Sequence, residues 1–289
     1  MQIWPDPWVR IVIVNFNAKG HLQTAVDALV AQTDTAFEAV IVDNASQDGS
    51  ADTLQLPDTR FHLILSTVNL VFAAGCNLGA RDCTTPWLAM LNPDAIPNRE
   101  WLAALNRATL RHPAAAMFGS TQTMANAPHL LDGAGDNYSI FGIAWRGGHG
   151  QVIEVANDLS VFSPCAAAAL YRHDAFAAAG GFAEAFFCYL EDVDLGFRLR
   201  LAGHGCIQCK DARVSHVGSA ISGRHSHFTL YHSARNTIAL MIRCLPLPLL
   251  AIALPLHLLT TILLYWRNPN QLQARLDGFT DGISGAASA

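Results

Sequence analysis

The residues best suited to chemistry lie between Gly180 and Gly203, GGFAEAFFCYLEDVDLGFRLRLAG, where Glu184, Glu191, Asp192 and Asp194 stand among Phe, Leu and Ala. A carboxylate set against apolar surface is costly unless it is paired, caps a helix or takes part in a reaction. Acids in a first helical turn answer the helix dipole. Desolvation beside Phe186, Phe187 and Tyr189 would instead raise a carboxyl pKa, which suits a general base. The pattern predicts a helix from Leu190 to about Ala202, stopped at Gly203. At about 100° per residue, Glu191, Asp194 and Arg198 share one face and Asp192 lies a quarter-turn round. Asp194 is then placed to pair with Arg198. Asp192 stands over Gly196, where the missing side chain would leave room for a ligand. Asp192, supported by Glu191, is the candidate general base.

Other polar residues cluster where short apolar runs end: Asn15 and Asn17, Asp43, Asn44 and Ser46, and Asn92 with Asp94. Asp43 reads either as part of a turn with a helix cap or as a carboxylate for a nucleobase or ribose. Asn92 and Asp94, two residues apart, could present oxygens together. Mg²⁺ or Mn²⁺ takes such ligands and completes its shell with substrate phosphates. The other reading is a Pro-containing turn. Asn69 to Gly79, NLVFAAGCNLG, combines flanking Asn donors (Asn69, Asn77) with small residues such as Gly75, which allow either close ligand approach or plain packing. His216 is either a metal or phosphate ligand or a satisfied structural histidine.

These residues need a frame, and strand and helix signals alternate to supply one. Strands are predicted at Val9 to Val14, Ala39 to Val42, Phe61 to Leu65 and Trp87 to Leu91. Helices are predicted after Asn17 (Leu22, Val26, Leu29), from Gly49-Ser50 to Leu54, over Asn77 to Arg81 and over Arg99 to Arg111. Alternation through the first 112 residues calls for a parallel α/β sheet with right-handed crossovers. Ligands of such sheets bind beyond the carboxyl ends of the strands, where the polar clusters stand. Residues 119–160 read as a long connection with two short strands, of the kind that covers a site. Ser163 to Leu170 reads as a small-residue strand, and Arg172 to Ala179 as a short helix ended by Gly180-Gly181.

Composition narrows the function. No G-x-G-x-x-G turn or P-loop lysine follows a strand, which argues against a dinucleotide dehydrogenase or P-loop enzyme. Net charge is −5 and there is no long basic run, so nucleic acid is a poor partner. The 7 cysteines are odd in number and scattered, as in a reducing compartment. Cys206 and Cys209 have no second pair to complete a structural zinc site. The first residues, MQIWPDPWVR, lack the pattern of a signal peptide. Only 14% of residues are charged, and the apolar excess lies in the tail. Cys244 to Trp266 has no formal charge and is long enough to cross a bilayer. Pro246, Pro248, Pro255 and His257 argue against a straight span and favour in-plane or re-entrant attachment. The end, from Asn268, reads as polar and loose.

Four blocks in order, VNFN…VDNASQDGS, NLVFAAGCNLG, LNPDA, and GGFAEAFFCYLEDVDLGFRLRLAG followed by HVGSAIS, resemble a family 2 glycosyltransferase of the rhamnosyltransferase-like branch over about residues 9–240. The resemblance implies an α/β GT-A fold and inverting transfer of a sugar from a nucleotide diphosphate donor to an acceptor hydroxyl. Asp43 would contact the donor base, and Asp94 would ligate Mg²⁺ or Mn²⁺ on the diphosphate. Asp192 would be the general base with Glu191 in support. His216 would sit near the diphosphate or metal, and Arg235-Asn236 matches an element just before the tail. The chain departs from the family at Val71, where Gly is usual, at Cys76, where Asn is usual, and at Ala183, where Asp follows Gly-Gly-Phe. Expected domains are 1–236, with a donor half at about 9–118 and an acceptor half at 119–236, and a membrane-associating tail at 237–289. The expected setting is the cytoplasmic face of the plasma membrane, with a lipid-linked or oligosaccharide acceptor and peripheral or re-entrant attachment. A catalytically silent nucleotide-sugar-binding scaffold subunit and a nucleotidyltransferase are the alternatives; the latter would need more basic residues near a triphosphate than the N-terminal half carries.

Overall fold

The computed structural model describes residues 6–152, 156–218 and 226–286. The strands and helices in chain order are β1 (Val9–Asn15), α1 (Gly20–Val30), β2 (Phe37–Asp43), β3 (Phe61–Leu65), α2 (Val71–Gly79), β4 (Trp87–Leu91), β5 (Ala95–Pro97) and α3 (Trp101–Arg111). There follow β6 (Ala115–Met124), β7 (Ala127–Gly133), β8 (Asp136–Tyr138), β9 (Ala144–Arg146), β10 (Leu159–Ser160), β11 (Ala168–Arg172), α4 (His173–Ala178), α5 (Glu191–Leu201) and β12 (Gly205–His216). Three helices close the chain: α6 (His227–Cys244), α7 (Leu247–Tyr265) and α8 (Pro269–Ala286).

One large sheet runs in the order β10-β12-β6-β11-β4-β1-β2-β3, with β5 on β12 and β7 on β6. The β4-β1-β2-β3 half is parallel, as the alternation requires. β11 joins the two halves by pairing antiparallel with both β4 and β6. β1 is apolar on both faces because both are covered. Ile11 and Ile13 share a core with Leu22, Val26 and Leu29 of α1 and Trp101 of α3. Val12 and Val14 face Cys76 of α2, Phe176, Phe182 and Leu195. The register sets Asn15 beside Asp43 and Asp43 beside Leu65, so the strands end level.

Several expectations are corrected. The Gly49–Leu54 segment forms turns, not a helix, with Thr53 N–H bonded to the Gly49 carbonyl. Residues 69–79 are mostly helical, because α2 begins at Val71 rather than near Asn77. The 119–160 connection is well built: most of β6, all of β7, β8 and β9, and β10 lie in it. The strand expected from Ser163 starts only at Ala168. The segment Pro269–Ala286, expected to be loose, is helical. α8 lies against α6, and Gly278 and Gly282 make the fit, since a side-chain carbon at either would collide with the backbone of Tyr231 or Arg235. Residues 236 and 237 are both inside α6.

Candidate active site

α5 begins on an unusual turn. Phe187, Tyr189 and Leu190 all have positive φ, at 64°, 69° and 65°, a region that side chains with a Cβ disfavour. Buried Asn236 of α6 holds the turn: its amide nitrogen lies 2.8, 2.7 and 2.8 Å from the carbonyl oxygens of Phe186, Cys188 and Tyr189. Its neighbour Arg235 donates to the Ala185 carbonyl. Arg235 therefore braces this turn rather than standing free for a donor. The turn aims Glu191 and Asp192 from the first helical turn.

Asp194 is fully buried between two guanidinium groups, with Arg198 at 2.7 Å and Arg243 at 3.1 Å. Arg198 also donates to the carbonyls of Ala179 and Gly181. The pairing expected for Asp194 is present, and its role is to tie α5 to α6 and to the Gly-Gly turn. The room expected beside Asp192 at Gly196 is absent, because a Cβ there would come within 2.3 Å of the Ser163 side chain. Gly196 is small so that Ser163 can pack on the helix.

Asp192 is half-buried. Its carboxylate accepts hydrogen bonds from the backbone N–H groups of Ala166 (3.0 Å) and Val193 (2.9 Å). Burial pushes its pKa up, opposed by the Ala166 bond and by Arg146. Glu191 is more deeply buried, and its Oε2 has no hydrogen-bond partner among the described residues. Burial and the neighbouring Asp192 charge push Glu191 up to about 8. The pair is thus unequal in its surroundings: Asp192 accepts two backbone N–H bonds that favour its charged form, while the buried Glu191 has an oxygen with no partner among the described residues, which favours its neutral form.

A third acid, Asp136, was not foreseen from the sequence. It sits at the start of β8, opposite Arg146 of β9, and burial and Asp192 push it up to about 8 against the pull of Arg146. Arg146 donates to Asp132 at 2.7 Å. Asp132 receives His216 Nδ1 at 2.8 Å, while His216 Nε2 lies 3.5 Å from Asp94. Burial alone would lower the His216 pKa, but Asp132 and Asp94 outweigh it and push it up to about 9. Burial likewise opposes ionisation of Asp94, yet the His216 bond holds that carboxyl below its usual value. A chain of charge thus runs from Asp192 through Arg146, Asp132 and His216 to Asp94. The signal that could have found it is Asp132-Gly-Ala-Gly-Asp136, two acids in a glycine-rich stretch just before an aromatic-flanked arginine.

Asp94 is one-fifth exposed, and its carboxylate also accepts from Gly218 N–H. Asn92 bonds the Ala167 carbonyl through its backbone, beside Asp94 at the end of β4. Among the described residues no group of three or more His, Cys, Asp or Glu is arranged to hold a metal ion. One ionised, partly exposed carboxylate nevertheless fits a hard divalent cation that brings phosphate oxygens with it.

The polar cluster at the ends of β1 and β2 is brought together as expected, but largely satisfied from within. Asp43 is 4% exposed; one oxygen accepts from Asn15 (2.7 Å), the other from Ser46 N–H (3.1 Å). Asn15 also reaches Ser46 and Ser50, and the Asn17 carbonyl oxygen accepts from Gln47 N–H. Asn44 receives Leu70 N–H and donates to Asn69 and to the Val71 carbonyl, clasping the start of α2. Asn77 grips both the N–H and the C=O of Phe182, each at 2.9 Å. Gly75 lies against Val14, so its smallness serves helix-to-strand packing. The family profile described as glycosyl transferase family 2 matches residues 10–178. The chain belongs to that family. It is therefore a glycosyltransferase. It is 27% identical over 253 residues to an N-acetylglucosaminyl-diphospho-decaprenol L-rhamnosyltransferase of Mycobacterium tuberculosis, covering 78% of this chain and 81% of that one. It is 27% identical over 101 residues to glycosyltransferase AglE of Haloferax volcanii, a third of each chain. Among solved structures, the mannosyltransferase PcManGT of Pyrobaculum calidifontis, in complex with GDP-Man and Mn²⁺, superposes with a TM-score of 0.57 at 18% identity, over 99% of this chain and 90% of that one. GalNAc-T7 with UDP, GalNAc and Mn²⁺ gives a TM-score of 0.63 at 13% identity, over 78% of this chain and 47% of that one. These likenesses establish the GT-A type of α/β fold. In this glycosyltransferase Asp192, bonded to Ala166 just before β11, and Asp94, just after β4, stand at the same end of those paired strands, where Ala168 lies opposite Leu91.

Proposed function

We propose that the protein transfers a sugar, with inversion, from a nucleotide diphosphate donor to a hydroxyl of a lipid-linked or polysaccharide acceptor in cell-surface glycan synthesis. Its setting in this reading is the cytoplasmic face of the plasma membrane. The observation that carries the reading is the geometry of the acid pair, with Asp192 half-buried under two backbone N–H donors and Glu191 buried beside it with an unpartnered oxygen. The rhamnosyltransferase relative supports a rhamnosyl donor and a diphospho-polyprenol-linked acceptor.

In this reading Asp192 takes the proton of the acceptor hydroxyl as that oxygen bonds to the anomeric carbon and the bond from carbon to the diphosphate oxygen breaks. Glu191 and Asp136 are buried acids beside Asp192 whose own ionisation is disfavoured, and Arg146 steadies the negative charge of Asp192. Asp94, aided by His216, would hold Mg²⁺ or Mn²⁺, which when bound supplies positive charge for the departing diphosphate. Asn15, Asp43 and Ser46 shape the pocket edge on the nucleotide side, and Asn17, Asn44, Asn69, Asn77, Gly75 and Asn92 support it.

The test is a screen of nucleotide diphosphate sugars for thermal stabilisation and for nucleotide release with an isoprenoid-linked acceptor, with Mg²⁺ or Mn²⁺ present or chelated. A donor that stabilises the wild type and is turned over, with turnover lost and stabilisation kept in Asp192→Asn, is the expected result. Donor binding without turnover in the wild type across the acceptor panel would count for a silent binding subunit instead.

A further inference from the structure

We propose that the tip of the β8–β9 hairpin and the outward face of α7 form one surface that seats on a lipid bilayer, and that the hairpin links this seat to the carboxylate cluster. The inference rests on the glycosyl-transfer reading above only for its purpose; the surface itself stands on its own geometry.

Turns at hairpin tips are usually polar or glycine-rich. Here Ile140, Phe141, Ile143 and Trp145 are 63%, 43%, 45% and 51% exposed within six consecutive residues. A contiguous apolar patch of this kind marks an interaction surface. The tip is folded against the tail. Gly142 packs directly on the Met241 side chain of α6, and the His257 ring of α7 lies by the Phe141 backbone.

α7 continues the same surface. One stripe, Leu250, Ala253 and Leu254, packs with Ile238, Met241 and Phe279. Near its other end Arg275 of α8 lies over the Tyr265 ring, 4.2 Å from its centroid. The opposite side exposes Ile252, Leu256, Leu259 and Leu263. α7 is long and apolar enough to span a bilayer, but α6 and α8 pack on it near both ends. Lying along the surface with its free side down satisfies both the packed stripe and the apolar one. The helix has a mean hydropathy of 2.2, and Cys244 to Trp266 bears no formal charge, a poor match for the mixed face of a soluble partner. Trp266 stacks beneath Arg267 at its end, the pairing of aromatic ring and cation that suits a headgroup layer.

The hairpin's base makes the seat matter. Asp136 and Arg146 pair across its first register position, and both act electrostatically on Asp192. Two short strands therefore join lipid-facing side chains to the groups that set the charge of the proposed base. Asp192 would be held at a fixed height above the bilayer, where the hydroxyl of a lipid-linked acceptor arrives.

Flotation of the full chain with vesicles of phosphatidylethanolamine and phosphatidylglycerol tests the proposal without reference to turnover. Wild type should float. The tip variant Ile140→Ser/Phe141→Ser/Ile143→Ser and the helix variant Ile252→Ser/Leu256→Ser/Leu259→Ser should each bind at least about tenfold more weakly. Should the tip variant fold poorly, brominated lipid should quench wild-type tryptophan emission, and Trp145→Phe should remove a share of that quenching. Wild type that stays in solution overturns the proposal, as does a folded tip variant that floats like wild type or unchanged quenching in Trp145→Phe. A wild-type dimer dissociated by the tip variant, in the absence of vesicles, assigns the face to a second copy and overturns it too. Nucleotide release from a donor sugar reads the glycosyl-transfer function separately, so either can fail alone.

Discussion

Two polar regions flank the sheet of this glycosyltransferase, and they are built on opposite terms. At the ends of β1 and β2, Asp43 is buried with both oxygens accepting from neighbours, and Asn15, Asn17, Asn44 and Ser46 are drawn into the same network. At the start of α5, Glu191 keeps an unpartnered buried oxygen, and burial raises the pKa values of Glu191, Asp192 and Asp136. Satisfied polar groups make a frame rigid, whereas buried groups left short of partners store free energy that a reaction can use. The difference separates positioning residues from reacting ones better than residue type does, since both regions are Asx- and Glx-rich. It also makes a prediction: substitutions in the cluster should lower turnover more than stability, and substitutions in the frame the reverse.

The largest expected effect is Asp192→Asn. Asn keeps the shape and still accepts the Ala166 N–H but cannot take a proton, so turnover should fall by about 10²–10⁴-fold with the melting temperature unchanged or raised. Steady-state kinetics beside thermal melting reads both. A parallel loss of stability would place Asp192 in the frame. Asp194→Ala should do the opposite. Removing a fully buried carboxylate strands Arg198 and Arg243 and should cost about 3–5 kcal/mol of stability, measured by urea unfolding. An unchanged unfolding midpoint would show that the triad is not the tie between α5 and α6.

The frame was largely legible in the sequence, because periodicity reports burial directly. β1, β2, β3, β4, α1, α3 and α5 fall where apolar spacing sets them, as does the Asp194–Arg198 pair. The GT-A expectation and the family both hold. The cluster was half legible: Glu191 and Asp192 declare themselves as adjacent acids among aromatics. Asp132, Asp136 and Arg146 do so only through the acids of the glycine-rich 132–136 stretch, because their link to Asp192 depends on how β7, β8 and β9 come together, a non-local contact. Gly196 misled for a related reason. An absent side chain looks like room for a ligand until the partner that fills it, Ser163, is known. Between the two readings of Asn69 to Gly79, ligand approach or packing, the local pattern does not choose, because the partner that the Asn77 amide grips, Phe182, lies more than a hundred residues away.

The acid pair gives the next effect in size. Glu191 and Asp136 are raised above their unfolded values, so the folded state holds protons that the unfolded chain releases above about pH 4. Stability should therefore fall as pH rises from that point to about 8. His216, raised to about 9, adds a fall in the same direction between its unfolded value and that pH. Glu191→Gln removes only the carboxyl share, and should flatten the decline by about 1–3 kcal/mol across the window. Melting temperature against pH for both proteins gives the comparison, and parallel curves would mean that Glu191 is already ionised in the fold.

Val71 is the one place where the frame itself is strained, and it yields the smallest effect. At the start of α2 it has φ of 61°, a conformation that costs a residue with a Cβ about 1–2 kcal/mol and a β-branched one no less. Asn44 and Asn69 hold it there, through the Val71 carbonyl and N–H respectively. The resembling family usually has Gly at this position, which the left-handed φ explains. Val71→Gly should relieve the strain but add the backbone freedom of Gly to the unfolded chain, about 0.5–1 kcal/mol the other way. The net expectation is a gain of up to about 1 kcal/mol, near 2–4 °C in melting temperature for a chain of this size. If turnover stays constant as stability rises, the strain is incidental and the frame is merely a frame. If turnover falls, the clasp at Asn44 and Asn69 is tuned for the donor, and the boundary between the two regions has to be drawn on the other side of Val71.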